Sequence, residues 1–223
     1  MKKVFCILFS CVMICSLIPT LSYSVSADTS SGKKLIALTF DDGPHPRYTN
    51  QILDILKEYG VRATFFEVGE NVRYYSETAQ RVAREGHEIG NHTNTHPHLK
   101  GIDSASLRRE VELCDNAIES VTGKKTKIFR PPEGVVEECV KVMAQDKNYS
   151  LVLWDIDTKD WAGTDSRVIV KNVLDNAKNG SIILMHDYLS KKCHTLEALR
   201  VIVPELIRRG YTFVTVSEMV GKK

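Results

Sequence analysis

The residues best suited to chemistry stand in five short clusters. "TFDDGP" carries Asp41 and Asp42, and "NHTNTH" carries His92 and His96. "FRPPEG" carries Arg130, "DIDTKDW" carries Asp157, Asp160 and Trp161, and "LMHD" carries His186 and Asp187. Two histidines four residues apart can face one point from a helical turn or a tight loop. With one carboxylate they make a site for a divalent metal with open coordination positions. The adjacent aspartates then divide: in an extended segment successive side chains point opposite ways, so one can bind metal while the other faces substrate. The metal's charge keeps its ligand ionised, and Arg130 is the candidate to do the same for the second acid. Taken singly, each cluster has an ordinary explanation: Asp-Gly and Gly-Pro are turn dipeptides, and paired histidines are common on surfaces.

What positions these clusters is a run of short apolar strands alternating with amphipathic helices. The strands are expected at Leu35–Phe40, Ala63–Val68, His87–Asn91, Lys127–Phe129, Leu151–Ile156, Ser181–Met185 and Thr212–Val216, segments rich in Ile, Val, Leu and Phe and too short for helices. Helices are expected over "TNQILDILKEYG" and near Val72–Glu85, Ser104–Thr122, Val136–Asp146, Ser166–Lys178 and Leu196–Arg209. Strict alternation argues for a parallel sheet with helices outside it. Seven strands can close into a distorted (β/α)7 barrel, and an open doubly wound sheet is the alternative. In either form chemistry gathers at the carboxyl ends of the strands, and all five clusters fall there. His87 lies within a strand and reads as a hydrogen-bonded core residue. His98 is a poorer metal ligand than His92 or His96 because of Pro97 and its offset.

The chain of 223 residues opens with Lys2 and Lys3, an apolar run from Val4 to Ile18, and small residues before Asp28. That is the layout of a secretory signal peptide over 1–27, and the run is short for a spanning helix. An uncleaved anchor is the rival, and the protein is expected to be secreted or associated with the cell envelope. "DTSSGKK", 28–34, reads as a linker before one domain over 35–220. Removing 1–27 takes two lysines and no acid, so the formal net charge of +2 falls to zero. No basic stripe points to nucleic acid, and the expectation is a monomer with no protein partner. Cys114, Cys139 and Cys193 remain after cleavage, without the spacing of a zinc site or a disulfide framework, and they read as buried thiols.

"TFDDGP", "HTNTH", "RPPEG", "DTKDW" and "LMH" occur in the order and approximate spacing of the five motifs of polysaccharide deacetylases. The chain resembles this NodB-homology family, carbohydrate esterase family 4, over residues 35–217. The resemblance implies a divalent metal, zinc foremost with cobalt or another divalent ion as alternatives, held by Asp42, His92 and His96. It implies Asp41 as the general base, Arg130 as the residue that orients it and keeps it charged, His186 as the general acid, and Asp160 as the residue that orients His186 and raises its pKa. Asp157 looks structural. Trp161 and Leu184 would line the groove and the pocket for the acetyl methyl group. The residue after "RPP" is often aromatic in this family and is Glu133 here. A backbone donor for an oxyanion survives that change, while the substrate-facing surface becomes acidic.

The residue types suit amide hydrolysis independently of the family. A base takes a proton from water, a separate acid serves the departing nitrogen, and the two titratable groups have opposed environments. The leading expectation is a hydrolase that removes N-acetyl groups from N-acetylhexosamine units of an extracellular glycan, peptidoglycan foremost. A chitooligosaccharide deacetylase or an O-acetyl-xylan esterase would share the machinery. A catalytically dead glycan-binding module is the third reading, and the intact ligand, base and acid positions argue against it.

Overall fold

The computed structural model of the protein describes residues 32–188 and 194–220. The expected signal peptide, most of the expected linker and Cys193 lie outside the described residues. No helix among the described residues is long and apolar enough to cross a membrane.

The elements in order are β1 Lys34–Asp41, α1 Tyr48–Glu58, β2 Thr64–Glu67, α2 Gly69–Tyr74, α3 Ser76–Arg84, β3 Glu88–Asn91, α4 Ser104–Thr122, β4 Ile128–Phe129, α5 Glu138–Asp146, β5 Ser150–Leu151, β6 Ile156–Asp157, α6 Ser166–Asn176, β7 Ser181–His186, α7 Thr195–Arg208, β8 Tyr211–Phe213 and α8 Val216–Val220. All pairings are parallel. The strand order is β5-β4-β3-β2-β1-β7-β6, with β8 on β1. Ile36 pairs with both Ser181 and Phe213, and Thr39 with both Thr64 and Leu184, so β2 and β8 share the edge of β1 opposite β7.

β5 and β6 form the two ends of this order, yet only 152–155 separate them. Five residue steps span at most about 17 Å, so the two edges are drawn together and the sheet curls into the expected distorted barrel. The sequence pattern reads Leu151–Ile156 as one strand, and here it divides. Arg130 is the physical reason: its Nε donates to the Val152 carbonyl at 3.3 Å and its Nη2 to the Leu153 carbonyl at 3.0 Å, which takes these carbonyls out of a ladder.

Two other elements differ from expectation. The helix expected over 72–85 breaks at Tyr75 (φ −118°, ψ 46°). Val72, Ala79 and Val82 are all buried and keep one apolar period across the break, so the hydrophobic pattern carries no sign of it. The strand expected over 212–216 ends at Phe213, and Val216 begins α8.

Alternation along the strands gives the sheet two faces. Ile36, Leu38 and Phe40 of β1, Phe65 of β2, and Ile183 and Met185 of β7 pack outward against apolar faces of α1, α3, α4, α6 and α7. Ala37, Phe66, Ile128, Val152 and Val216 form the smaller inner cluster. Thr39 and Asp41 share the inner face with Ala37, and Leu184 and His186 share it on β7. The inner face therefore turns from apolar to polar at its carboxyl rim.

Candidate active site

Asp41 is the last residue of β1, in register with Phe66 of β2 and His186 of β7. Its Oδ1 accepts from Arg130 Nη1 at 2.6 Å. Arg130 has no exposure. The same Nη1 reaches Thr39 Oγ1 at 2.9 Å, and the guanidinium lies 4.0 Å from the Phe66 ring centroid and 5.6 Å from that of Trp154. Burial pulls the Arg130 pKa down, and Asp41 opposes that pull. The expected Arg130–Asp41 pairing is present, and its rigidity comes from Thr39, which opens the "TFDDGP" cluster, and from Val152, Leu153, Phe66 and Trp154, which lie outside the motifs.

Asp42 leaves extended geometry, with φ of 76°. This left-handed conformation is tolerated by Asp more than by most residues. It corrects the expectation that the two aspartates point opposite ways: Asp41 Oδ2 lies 3.8 Å and Asp42 Oδ1 3.4 Å from the same atom, His92 Nε2. The turn at Asp42 brings both carboxylates to one centre.

His92 and His96 lie on a tight loop, with Thr93 at φ 67° and His96 at φ 55°, and their rings are 5.0 Å apart between centroids. Backbone N–H groups of Gly69 and Glu70 donate to the carbonyls of Thr93 and Asn94, each at 3.0 Å. Glu110 of α4 accepts from the N–H of Asn94 at 3.0 Å and of Thr95 at 2.8 Å. Asn91 accepts from Thr93 N–H at 2.8 Å, while its amide donates to the Val111 carbonyl at 2.9 Å and to Asp115 at 2.7 Å. The sequence offered no pattern for this clamp, because Glu110 and Asp115 sit on what reads as a solvated helix face.

Asp42, His92 and His96 are the one group of three among the described residues whose ligand atoms converge, all within 4.8 Å of one another. The donor set fits a divalent cation. His92 Nδ1 donates to the Arg130 carbonyl at 2.7 Å, which leaves Nε2 as the lone pair facing the centre. Asp42 Oδ1 is buried without a hydrogen-bond partner. Burial opposes charge on Asp42, but His92, His186 and His96 hold its carboxyl below the usual range. Burial likewise works against charge on His92, and the two aspartates overcome it and raise its pKa. Burial and neighbouring His92 push His96 down. The centre therefore draws positive charge.

His186 ends β7. Asp160 Oδ1 accepts from His186 Nδ1 at 2.7 Å, and Asp160 Oδ2 accepts from the His186 N–H at 2.9 Å and from Thr195 Oγ1 at 2.7 Å. Burial opposes charge on His186, yet Asp160, with Asp41 and Asp42 beyond it, raises its pKa to about 9. The expected orienting role of Asp160 has its geometry, with Thr195 of α7 as a partner the motifs did not reveal. Leu184 is nearly buried on the same inner face, and Trp161 is 54% exposed on the rim. Glu133 takes φ 56° and its Oε2 accepts from His98 Nδ1 at 2.8 Å, so His98 pairs on the rim and stays out of the triad. Asp157 accepts from Lys159 N–H at 2.8 Å. His87 is buried and accepts from Ala63 N–H at 3.1 Å, and burial, which disfavours its charge, lowers its pKa to about 4.

Asp187 points to the outer face. It accepts from Thr49 Oγ1 of α1 at 2.5 Å and lies tight under the "DDGP" turn: a Cβ on Gly43 would come within 2.3 Å of its carboxylate. Glu67 is fully buried, and neither of its carboxylate oxygens has a partner. Burial raises both acids, Asp187 to about 7 and Glu67 well above its ordinary value, and Asp187 adds to the shift of Glu67. Cys114 is a buried free thiol that donates to the Glu67 carbonyl at 3.3 Å, and burial raises its pKa; Cys139 is free and half-buried.

The sequence profile of the family described as polysaccharide deacetylase matches residues 28–152. A peptidoglycan-N-acetylglucosamine deacetylase of Bacillus cereus is 40% identical over 201 residues, 89% of this chain and 94% of that protein. A peptidoglycan-N-acetylmuramic acid deacetylase of Bacillus subtilis is 39% identical, over 84% of this chain and 39% of its own length. A solved structure described as a T48 deacetylase with substrate superposes with a TM-score of 0.80 at 41% identity, covering 86% of this chain and 93% of that one. A curled parallel sheet, a converging Asp-His-His triad at its rim and these matches across most of the chain place it in one lineage: the chain belongs to the polysaccharide deacetylase family.

Proposed function

We propose that this protein is a secreted, metal-dependent hydrolase that removes N-acetyl groups from N-acetylglucosamine units of peptidoglycan. The observation that carries the reading is the grouping of the Asp42–His92–His96 triad with an acid held by Arg130 and a histidine held by Asp160. The N-acetylglucosamine deacetylase that the chain matches over nearly its full length supports the substrate.

Asp42, His92 and His96 would hold the divalent ion, zinc foremost. When bound, such an ion lowers the pKa of water and polarises a carbonyl. The chain's own residues supply the remaining tasks. Asp41, kept in place by Arg130, whose Nη1 also contacts Thr39, accepts the proton of the attacking water. His186, charged through Asp160, donates a proton to the departing glucosamine nitrogen. Leu184 faces the acetyl methyl group and excludes water beside it, and Trp161 offers an aromatic face on the rim. Glu133 would offer its backbone N–H to the oxyanion, while its carboxylate pairs with His98 on the rim. The protein acts as a monomer, exported through residues 1–27.

Acetate release from a panel of glycans, with metal removed and then restored, tests this. Release from peptidoglycan and N-acetylglucosamine oligomers, lost with chelation and regained with zinc, is expected. Release only from acetyl-xylan would overturn the substrate assignment.

A further inference from the structure

His45, Tyr48, Tyr75 and Tyr188 form one aromatic group. The His45 ring centroid lies 4.8 Å from Tyr48, 6.3 Å from Tyr75 and 5.0 Å from Tyr188, and Tyr74 extends the group, 6.5 Å from Tyr75. These side chains come from the connections after β1, β2 and β7, the carboxyl rim that carries the catalytic centre. His45 follows Asp42 by three residues and Tyr188 follows His186 by two, so these two members stand within about 11 Å of chain from the centre.

Core packing does not explain it. None of the four tyrosines belongs to or packs against the hydrophobic clusters, and Tyr74 is 78% exposed. The break at Tyr75, for which the apolar pattern gave no reason, ends α2 there and leaves Tyr74 and Tyr75 side by side on the rim. Tyr74 stands out to solvent, while His45, Tyr48, Tyr75 and Tyr188 are half-buried beside it, and adjoining, partly exposed aromatic rings offer an interaction surface. A tyrosine ring offers a flat apolar face and a polar tip, which matches a pyranose ring with its C–H face and its hydroxyl edge.

We propose that this aromatic patch is a glycan subsite, holding sugar rings of the chain beyond the one being deacetylated. It continues the catalytic rim on the β1–β2 side, while Trp161 follows β6 beyond β7, so a polymer crosses the centre between them. The inference rests on the glycan reading above and extends it: the enzyme favours long chains.

Binding of N-acetylglucosamine monomer and of long N-acetylglucosamine oligomers to the zinc-loaded Asp41→Asn variant, measured by calorimetry, tests the subsite without turnover. The long oligomer should bind more tightly than the monomer. Adding Tyr74→Ala and Tyr75→Ala should weaken the long oligomer about tenfold, the equivalent of about 1.4 kcal/mol, and remove most of the length preference. The corresponding phenylalanine substitutions should preserve it, since the ring is kept. Equal affinity for long and short oligomers before the tyrosines are changed, or loss with phenylalanine as large as with alanine, would overturn the subsite. Absence of binding to any N-acetylglucosamine oligomer would remove the glycan reading itself and the subsite with it.

Discussion

Asp41 and His186 are register partners on adjacent parallel strands, β1 and β7, and both point to the inner face. One is held by a buried cation, Arg130 at 2.6 Å, and the other by a buried anion, Asp160 at 2.7 Å. Opposite electrostatic environments on neighbouring strands are the pattern expected of a base and an acid serving one reaction.

The acid can be tested through pH. The folded-state pKa of His186 is raised to about 9; its protonated form, and the stability it contributes, is complete below the unfolded value near 6.5 and is lost as pH rises through the folded value. Activity on amides should fall on an alkaline limb at or below about pH 9, since a bound cation opposes the contributions of Asp41 and Asp42. Asp160→Asn should shift that limb to lower pH. An unmoved limb in Asp160→Asn would remove His186 as its source.

His186→Ala should cost most on amide substrates and least on activated esters, whose leaving groups need no proton. Rates on an N-acetylated glycan and on an aryl acetate make the comparison. Equal losses would contradict its role as acid to the leaving group.

Removing Arg130 strands four hydrogen-bond partners, the buried Asp41 carboxylate among them. Arg130→Ala should destabilise the fold by about 3–5 kcal/mol, read as a lower urea midpoint. Arg130→Lys should recover only part of this, because an ammonium cannot reproduce the planar fork that meets Asp41, Thr39, Val152 and Leu153. Wild-type stability in the lysine variant would show that the fork is dispensable.

Glu67 ends β2 next to the inward-facing Phe66 and so lies on the outer face of the sheet. Its folded-state pKa is raised by burial and Asp187, so the unfolded chain releases its proton first as pH rises above about 4.5, and stability declines through that window. Metal-free Glu67→Gln should match wild type below that pH and be more stable at neutral pH. Lower thermal stability of the variant at pH 7 would contradict a neutral buried carboxyl.

Glu110 anchors the loop that carries both histidines. Glu110→Ala should weaken zinc binding roughly tenfold, within the range for residues that orient ligands, measured by competition with a chelator. Unchanged affinity would leave the loop to α2 and Asn91 alone.

The strand-end placement of the five clusters was legible because the apolar runs bounding them are short and clean. Residue alternation correctly separates His186, facing in, from Asp187, facing out against Thr49. It fails at Asp41 and Asp42, where φ of 76° at Asp42 ends the period. Sequence also could not show the division of 151–156, which depends on Arg130 reaching two carbonyls more than twenty residues away. The roles of Thr39, Glu110, Asp115 and Thr195 were invisible for a related reason: each acts through hydrogen bonds to residues distant in sequence, which leave no local periodicity.

The division of labour between the two aspartates is tested most directly by measuring bound zinc and acetate release together in Asp41→Asn and Asp42→Asn. Asp41→Asn should keep one zinc per chain and release no acetate, whereas Asp42→Asn should lose both. Zinc lost from Asp41→Asn and retained by Asp42→Asn would contradict the account.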